Sequence, residues 1–158
     1  MDTETSRIVR LVDDLLSDIW PTTDEDLYDF LAIHGVSASG GTWNERGTMR
    51  LGEVRSLTVN LAGSWAYSPK TGVALCFFIE HPISDENATR PAYEGMFDAL
   101  SRRFGEADSI DTSLGSPRAT WMRGPVALSL DGYVQSLNPP IIQLTIQPDF
   151  AVSLGSRP

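Results

Sequence analysis

The sequence predicts an α+β fold: one antiparallel sheet with helices packed on one of its faces. Three observations carry this. Two stretches near the N-terminus repeat apolar residues at three- and four-residue spacing. From Thr48 the period changes to two, with short connections that favour antiparallel pairing. A third helical stripe then separates two runs of strands. The predicted order is ααβββαβββ, in a single domain over 1–150 with a frayed tail at 151–158.

The first helix is expected over 3–20, with Ile8, Leu11, Val12, Leu15 and Ile19 as its buried stripe, Leu16 beside it, and Pro21 after it. Trp20 is expected to pack in the core. Thr22 or Thr23 caps a second helix, with Asp24, Glu25 and Asp26 in its first turn, where the helix dipole favours anions. Leu27, Phe30, Leu31 and His34 form its stripe, and Gly35 stops it. So short a linker predicts a helical hairpin whose solvent faces merge into one acidic surface.

Residues 37–47, rich in Ser, Gly, Thr and Asn, read as a loop. Thr48–Val54, Ser56–Leu61 and Gly72–Ile79 read as strands, with Trp65–Thr71 as a turn. Gly72–Ile79 is apolar on both faces and is placed centrally. His81-Pro82 closes it and a polar connection follows. Pro91 opens the third helix, with Tyr93, Met96, Phe97, Leu100 and Phe104 inward and Gly105 as its stop. Ala119–Met122, Val126–Leu130 and Ile141–Gln147 complete the strands, punctuated by Asp131-Gly132 and Asn138-Pro139-Pro140.

The charge is local. Nine of the 21 acidic residues fall in the first 29 positions, against Arg7 and Arg10, so this stretch supplies most of a net charge of −9. Such a concentration attracts a basic partner and argues against nucleic acid or an anionic membrane. The Arg102-Arg103 pair sits in the last turn of a helix, where the dipole accounts for it. The opening Met-Asp-Thr-Glu-Thr-Ser is acidic, unlike a secretory leader, and no apolar run reaches the ~20 residues that span a bilayer, so a cytoplasmic location is expected. The single Cys76 lies in an apolar run and reads as a buried, inert thiol.

No chemistry stands out. There is no phosphate-binding glycine loop. His34 and His81 have no second ligand at metal spacing, and Asp24, Asp26 and Asp29 lack the glycine and closing glutamate of a calcium loop. Ser64 and Ser116 are flanked by turn residues but sit in no nucleophile elbow. No enzyme activity, metal or cofactor is expected. A composite catalytic site using His34 or His81 with a carboxylate is the reading that would overturn this.

Tyr93-x-x-Met-Phe-x-x-Leu-x-x-x-Phe104-Gly105, followed by Trp121 and Val126-Ala-Leu-Ser-Leu130, forms one recognisable pattern. Leu15-Leu-x-x-Ile-Trp-Pro-Thr-Thr-Asp-Glu-Asp-Leu27 forms a second. Together they resemble an uncharacterised actinobacterial domain family often encoded beside secreted toxins, and are similar in style to small immunity proteins of polymorphic toxin systems. The matched positions are core stripes, a helix stop and a strand, so no site residue transfers. The resemblance implies a cytoplasmic immunity protein that binds and blocks a cognate toxin domain. The charge adds the expected contact residues: Asp13, Asp14, Asp18, Asp24, Glu25, Asp26 and Asp29. Trp43 and Trp65, aromatics in what read as polar loops, are the expected anchors. The alternative is a small acidic secretion chaperone holding an effector segment at an exposed sheet edge or in an apolar groove.

Overall fold

A computed structural model describes residues 3–79, 86–112, 117–132 and 142–148. Its elements are α1 (Glu4–Ser17), α2 (Asp24–Ile33), β1 (Val36–Trp43), β2 (Arg50–Ser56), β3 (Ala62–Ser68), β4 (Gly72–Ile79), α3 (Glu86–Phe104), β5 (Ser109–Asp111), β6 (Arg118–Arg123), β7 (Val126–Asp131) and β8 (Ile142–Pro148). The class is α+β, as the periodicities predict. The strands form one antiparallel sheet in the order β1-β2-β3-β4-β8-β7-β6-β5. Each half is a four-stranded meander, and the two halves join where β4 pairs with β8. Gly72–Ile79 is therefore central, as its two apolar faces imply.

The helix ends follow from caps. Thr3 accepts from the Ser6 amide at the start of α1, and Thr23, not Thr22, accepts from the Asp26 amide at the start of α2. Gly35 and Gly105 take the left-handed conformation just beyond α2 and α3, which any side chain would resist. Residue by residue along each strand, alternate side chains enter the core. Trp65, Leu75, Ile146, Leu128 and Trp121 stand in register across five adjacent strands and are all buried. Phe77, Leu144, Leu130 and Ala119 form a second such row. Tyr28 of α2 meets Trp65 edge-on, and Phe97 of α3 tilts against Trp121. The opposite face is paved with short polar side chains: Ser64, Cys76, Thr145, Ser129 and Thr120. Cys76 is half-buried, and burial pushes its thiol pKa up.

Four expectations are corrected. β1 occupies the segment read as a loop; it is an edge strand of Ser, Ala and Gly with a bulge at Gly40–Thr42, so it carries no apolar alternation. The alternation at Leu57, Val59 and Leu61 is not a strand. Ser56 Oγ accepts from the amides of Thr58 and Val59, folding these residues into a turn, and β3 follows over the segment read as a turn. α3 begins at Glu86, and Pro91 stands inside it at an exposed position where a missing amide costs less. The three-residue β5 is fully exposed and gives no sequence signal. His81-Pro82, Ser116, Asn138-Pro139-Pro140 and the tail 151–158 lie outside the described residues.

The two N-terminal helices are not a hairpin. α1 packs on α3, and α2 packs on β1. α1 ends at Ser17 because Asp18 turns extended and its carboxylate accepts from the Ile19 amide. This throws Ile19 out of the stripe; it is 89% exposed. The linker is pinned instead by half-buried Trp20, whose Nε1 donates to the Val73 carbonyl at 3.0 Å.

Candidate interaction surface at the N-terminal helices

The seven carboxylates singled out by charge do not form one acidic surface. Three are held within the fold. Asp13 receives Arg103 Nε at 2.8 Å and also its terminal nitrogen, which ties α1 to α3. Asp24 receives Arg50 Nη1 at 2.5 Å. Asp18 Oδ2 lies 2.9 Å from His34 Nε2. A carboxylate only accepts, so this contact places the imidazole hydrogen on Nε2. The His34 hydrogen bond, and next the Ile19 amide, hold the Asp18 carboxyl below the usual range.

Arg50 is the joint of this region. Its Nε donates to the Gly41 carbonyl at 2.6 Å, a contact made possible by the bulge at Gly40–Thr42. Its guanidinium lies 5.9 Å from the centre of the Trp65 ring and reaches on to Asp24. Trp65 itself is 1% exposed, and its indole N–H donates to the Ser39 carbonyl at 3.1 Å. It is a core residue and not a surface anchor. The turn chemistry of Ser68-Pro69-Lys70-Thr71-Gly72 follows directly on β3, and β3 itself is built mostly of small residues. Two glycines here are small for want of room: Gly52, paired with Trp65, has no space for a side chain beneath the indole, and Gly63 lies against the Cys76 carbonyl. Trp43 is different. It ends β1, is 45% exposed and leans edge-on against Tyr67.

Asp14, Glu25, Asp26 and Asp29 remain exposed, and no ion pair joins them to another described residue. At 100° per residue Glu25, Asp26 and Asp29 share one side of α2, opposite buried Leu27 and Leu31. Exposed Ile33 lies four residues beyond Asp29, on that same side. Asp14 belongs elsewhere. It lines a cleft of about 480 Å³ with Arg7, Arg10 and Leu11 of α1, Ile33, His34 and Gly35 at the end of α2, and Thr58 and Val59 of the β2–β3 turn. The solvent face of α1 is thus mixed in charge, because Arg7, Arg10 and Asp14 follow one another on it.

Nothing marked this cleft in the sequence except Ile33, an apolar residue outside the α2 stripe. Among the described residues no group of three or more His, Cys, Asp or Glu side chains is placed to hold a metal. Ser64 stands on β3 paired with Glu53 and Cys76. No helix of the described residues is long and apolar enough to cross a membrane. Compared with known families, curated proteins and solved structures, the chain matches none.

Proposed function

We propose that this chain is a cytoplasmic immunity-type protein that binds a cognate toxin domain through a basic surface on that domain. The observation that carries the reading is the set of carboxylates left over after internal pairing: Glu25, Asp26 and Asp29 along one side of α2, exposed and without an ion pair among the described residues. The fold needs Asp13, Asp18 and Asp24 for its own contacts; it does not need these three. A one-signed ridge on a rigid helix speeds association with a basic cleft and can cover it. Trp43 supplies an exposed aromatic, paired across the strands with Arg50, whose guanidinium reaches Asp24 at the start of α2. The reading assigns the chain no catalysis, metal or cofactor, and no nucleic-acid or membrane partner.

The test is affinity capture from the native cell at about 50 and 500 mM salt, a range over which the screening length shrinks severalfold. The bait is the wild type or the triple variant Glu25→Lys, Asp26→Lys, Asp29→Lys. A basic toxin-domain protein should be retained by the wild type at low salt, and lost at high salt and on the variant. Retention indifferent to both salt and charge reversal refutes the reading.

The secretion-chaperone alternative is favoured by one observation, the eight-residue edge strand β1, which contains no Pro or Lys to discourage pairing. A chaperone leaves its client protease-sensitive in the complex, whereas an immunity protein leaves it folded and resistant.

A further inference from the structure

β1 ends the sheet, so one of its sides pairs with β2 and the other with no strand among the described residues. Strand geometry tells which backbone groups are left over. The Gly35 carbonyl accepts from the Leu57 amide, and the Ser39 carbonyl, which accepts from the Trp65 indole, lies against Gly52 of β2. Gly35, Ser37 and Ser39 thus turn their backbone groups inward. By alternation Val36, Ala38 and Gly40 turn their amides and carbonyls out of the sheet edge. The open run stops at the bulge, where the Gly41 carbonyl is held by Arg50. Val36–Gly40 carries neither Pro nor a charged side chain, the residues that usually guard an edge.

α2 overhangs this edge. Its first residue, Asp24, is tied through Arg50 to Gly41 near the end of β1, and its own end passes through Gly35 into Val36. The helix therefore runs back along the strand. Contacts fix which way each side of it points. Phe30 meets Trp20, which is bonded to β4, and Ile33 lines the cleft shared with α1; both mark the side toward the middle of the sheet. Tyr28 meets Trp65, whose indole reaches β1, and marks the side toward the edge. At 100° per residue Ala32, Glu25 and Asp29 come next after Tyr28, whereas Asp26 falls beside Ile33. Glu25 and Asp29 are separated by about 6 Å along the helix, and alternate residues of a strand stand about 6.7 Å apart.

We propose that the free edge of β1 takes up an extended segment of the partner protein as an added antiparallel strand, with Lys or Arg at alternate positions facing Glu25 and Asp29. The proposal rests on the protein-binding reading above and gives that partner a backbone conformation and a charge spacing. Main-chain hydrogen bonds to Val36, Ala38 and Gly40 hold the segment, and the two carboxylates select it. Val36 and Ala38 face the core side of the sheet, the side α2 covers. Residues paired opposite them share that face, so the basic residues of the segment are also the ones that bond the edge. A second copy of this chain is a poor occupant. Two β1 strands paired antiparallel about a two-fold axis set both α2 helices on one face of the joined sheet, with Glu25 and Asp29 turned toward their own copies, in a protein of net charge −9.

The test is amide hydrogen exchange of the full chain, read by NMR, with a synthetic peptide about nine residues long in which Lys alternates with Thr. In the free protein the amides of Val36, Ala38 and Gly40 should exchange fast and that of Ser39 slowly. Saturating peptide should slow the three outward amides about tenfold or more. The same peptide N-methylated at each Lys keeps its charge and loses the bonding amides, and should leave them fast. Glu25→Lys with Asp29→Lys should weaken binding about tenfold or more, and Asp26→Lys by less than about threefold. All three positions are exposed, so these variants keep the fold. Equal protection by both peptides, or none by either at about 1 mM, overturns the proposal. So does binding indifferent to Glu25 and Asp29. An unprotected edge, with a toxin-like protein still captured and lost on charge reversal, leaves the acidic ridge standing without strand addition. A protected edge, with no salt-sensitive protein captured, keeps strand addition and sinks the toxin-binding reading.

Discussion

Replacing Asp24 with Asn separates acids that build the fold from acids that do not. The Asp24 side chain is 14% exposed and its partner Arg50 27%. That places the pair between surface bridges, worth about 0–1 kcal/mol, and fully buried ones, whose breakage costs about 3–5. Arg50 keeps the Gly41 carbonyl and the Trp65 ring when Asp24 loses its charge, so the lost pairing comes to about 1.5 kcal/mol. Asp24 is also the first residue of α2, where an anion gains about 0.5 kcal/mol from the helix dipole. The sum, about 2 kcal/mol, corresponds to a fall in melting temperature of about 6 °C for a domain of this size. Asp29→Asn, on the solvent side of the same helix, should stay within about 0.5 kcal/mol of wild type. Urea unfolding measures both, with an unchanged slope as the check that only stability moved. A double-mutant cycle with Arg50→Met isolates the pair term at about 1 kcal/mol or more. If Asp24→Asn and Asp29→Asn unfold at the same urea concentration, the division into structural and available carboxylates is wrong.

Two further outcomes test the account of the fold. A Cβ at Gly63 would stand 1.8 Å from the Cys76 carbonyl oxygen on the neighbouring strand, so Gly63→Ala should cost about 3 kcal/mol in urea unfolding; Gly95→Ala, with nothing within 4 Å on α3, should gain about 0.5–1. The Asp18 carboxyl is held below its ordinary value of 3.8, so its contribution is present above about pH 4 and is lost as pH falls through the folded pKa; Asp18→Asn should flatten stability against pH below about 4, read by urea unfolding across that range.

Elements with a strong apolar period were legible in the sequence, and those built from small residues were not. The stripe Ile8, Leu11, Val12, Leu15 is buried as read, because a helix that covers a sheet needs a continuous apolar face. β1 and β3 escaped because both are rich in Gly, Ala and Ser, the residues that turns use; of these, Gly40 and Gly63 are required by the close approach of the neighbouring strand. Leu57, Val59 and Leu61 misled for the complementary reason: Val59 and Leu61 are buried by a turn that folds inward, which leaves an alternation without a strand. The charge imbalance near the N-terminus was plain, but its division was not. Asp13, Asp18 and Asp24 are paired with Arg103, His34 and Arg50, and the arginine partners lie far along the chain. The two loop-like tryptophans looked alike for the same reason, and only the bulge in β1 and the fit beneath Trp65 tell them apart.

The seam between β4 and β8 has a consequence for how the chain reaches this state. Within each meander, neighbouring strands are close in sequence, and such hairpins close within microseconds. The seam joins Leu75 to Ile146, roughly 70 residues apart, with the whole of α3 and three strands between them. Its loop entropy must be overcome before its own contacts give any return. Until then both halves expose an apolar strand, Val73–Ile79 on one side and Ile142–Ile146 on the other, in the middle of what will become the core. Closure of the seam is therefore the expected slow step in folding, and a chain delayed there is the form most exposed to aggregation and proteolysis.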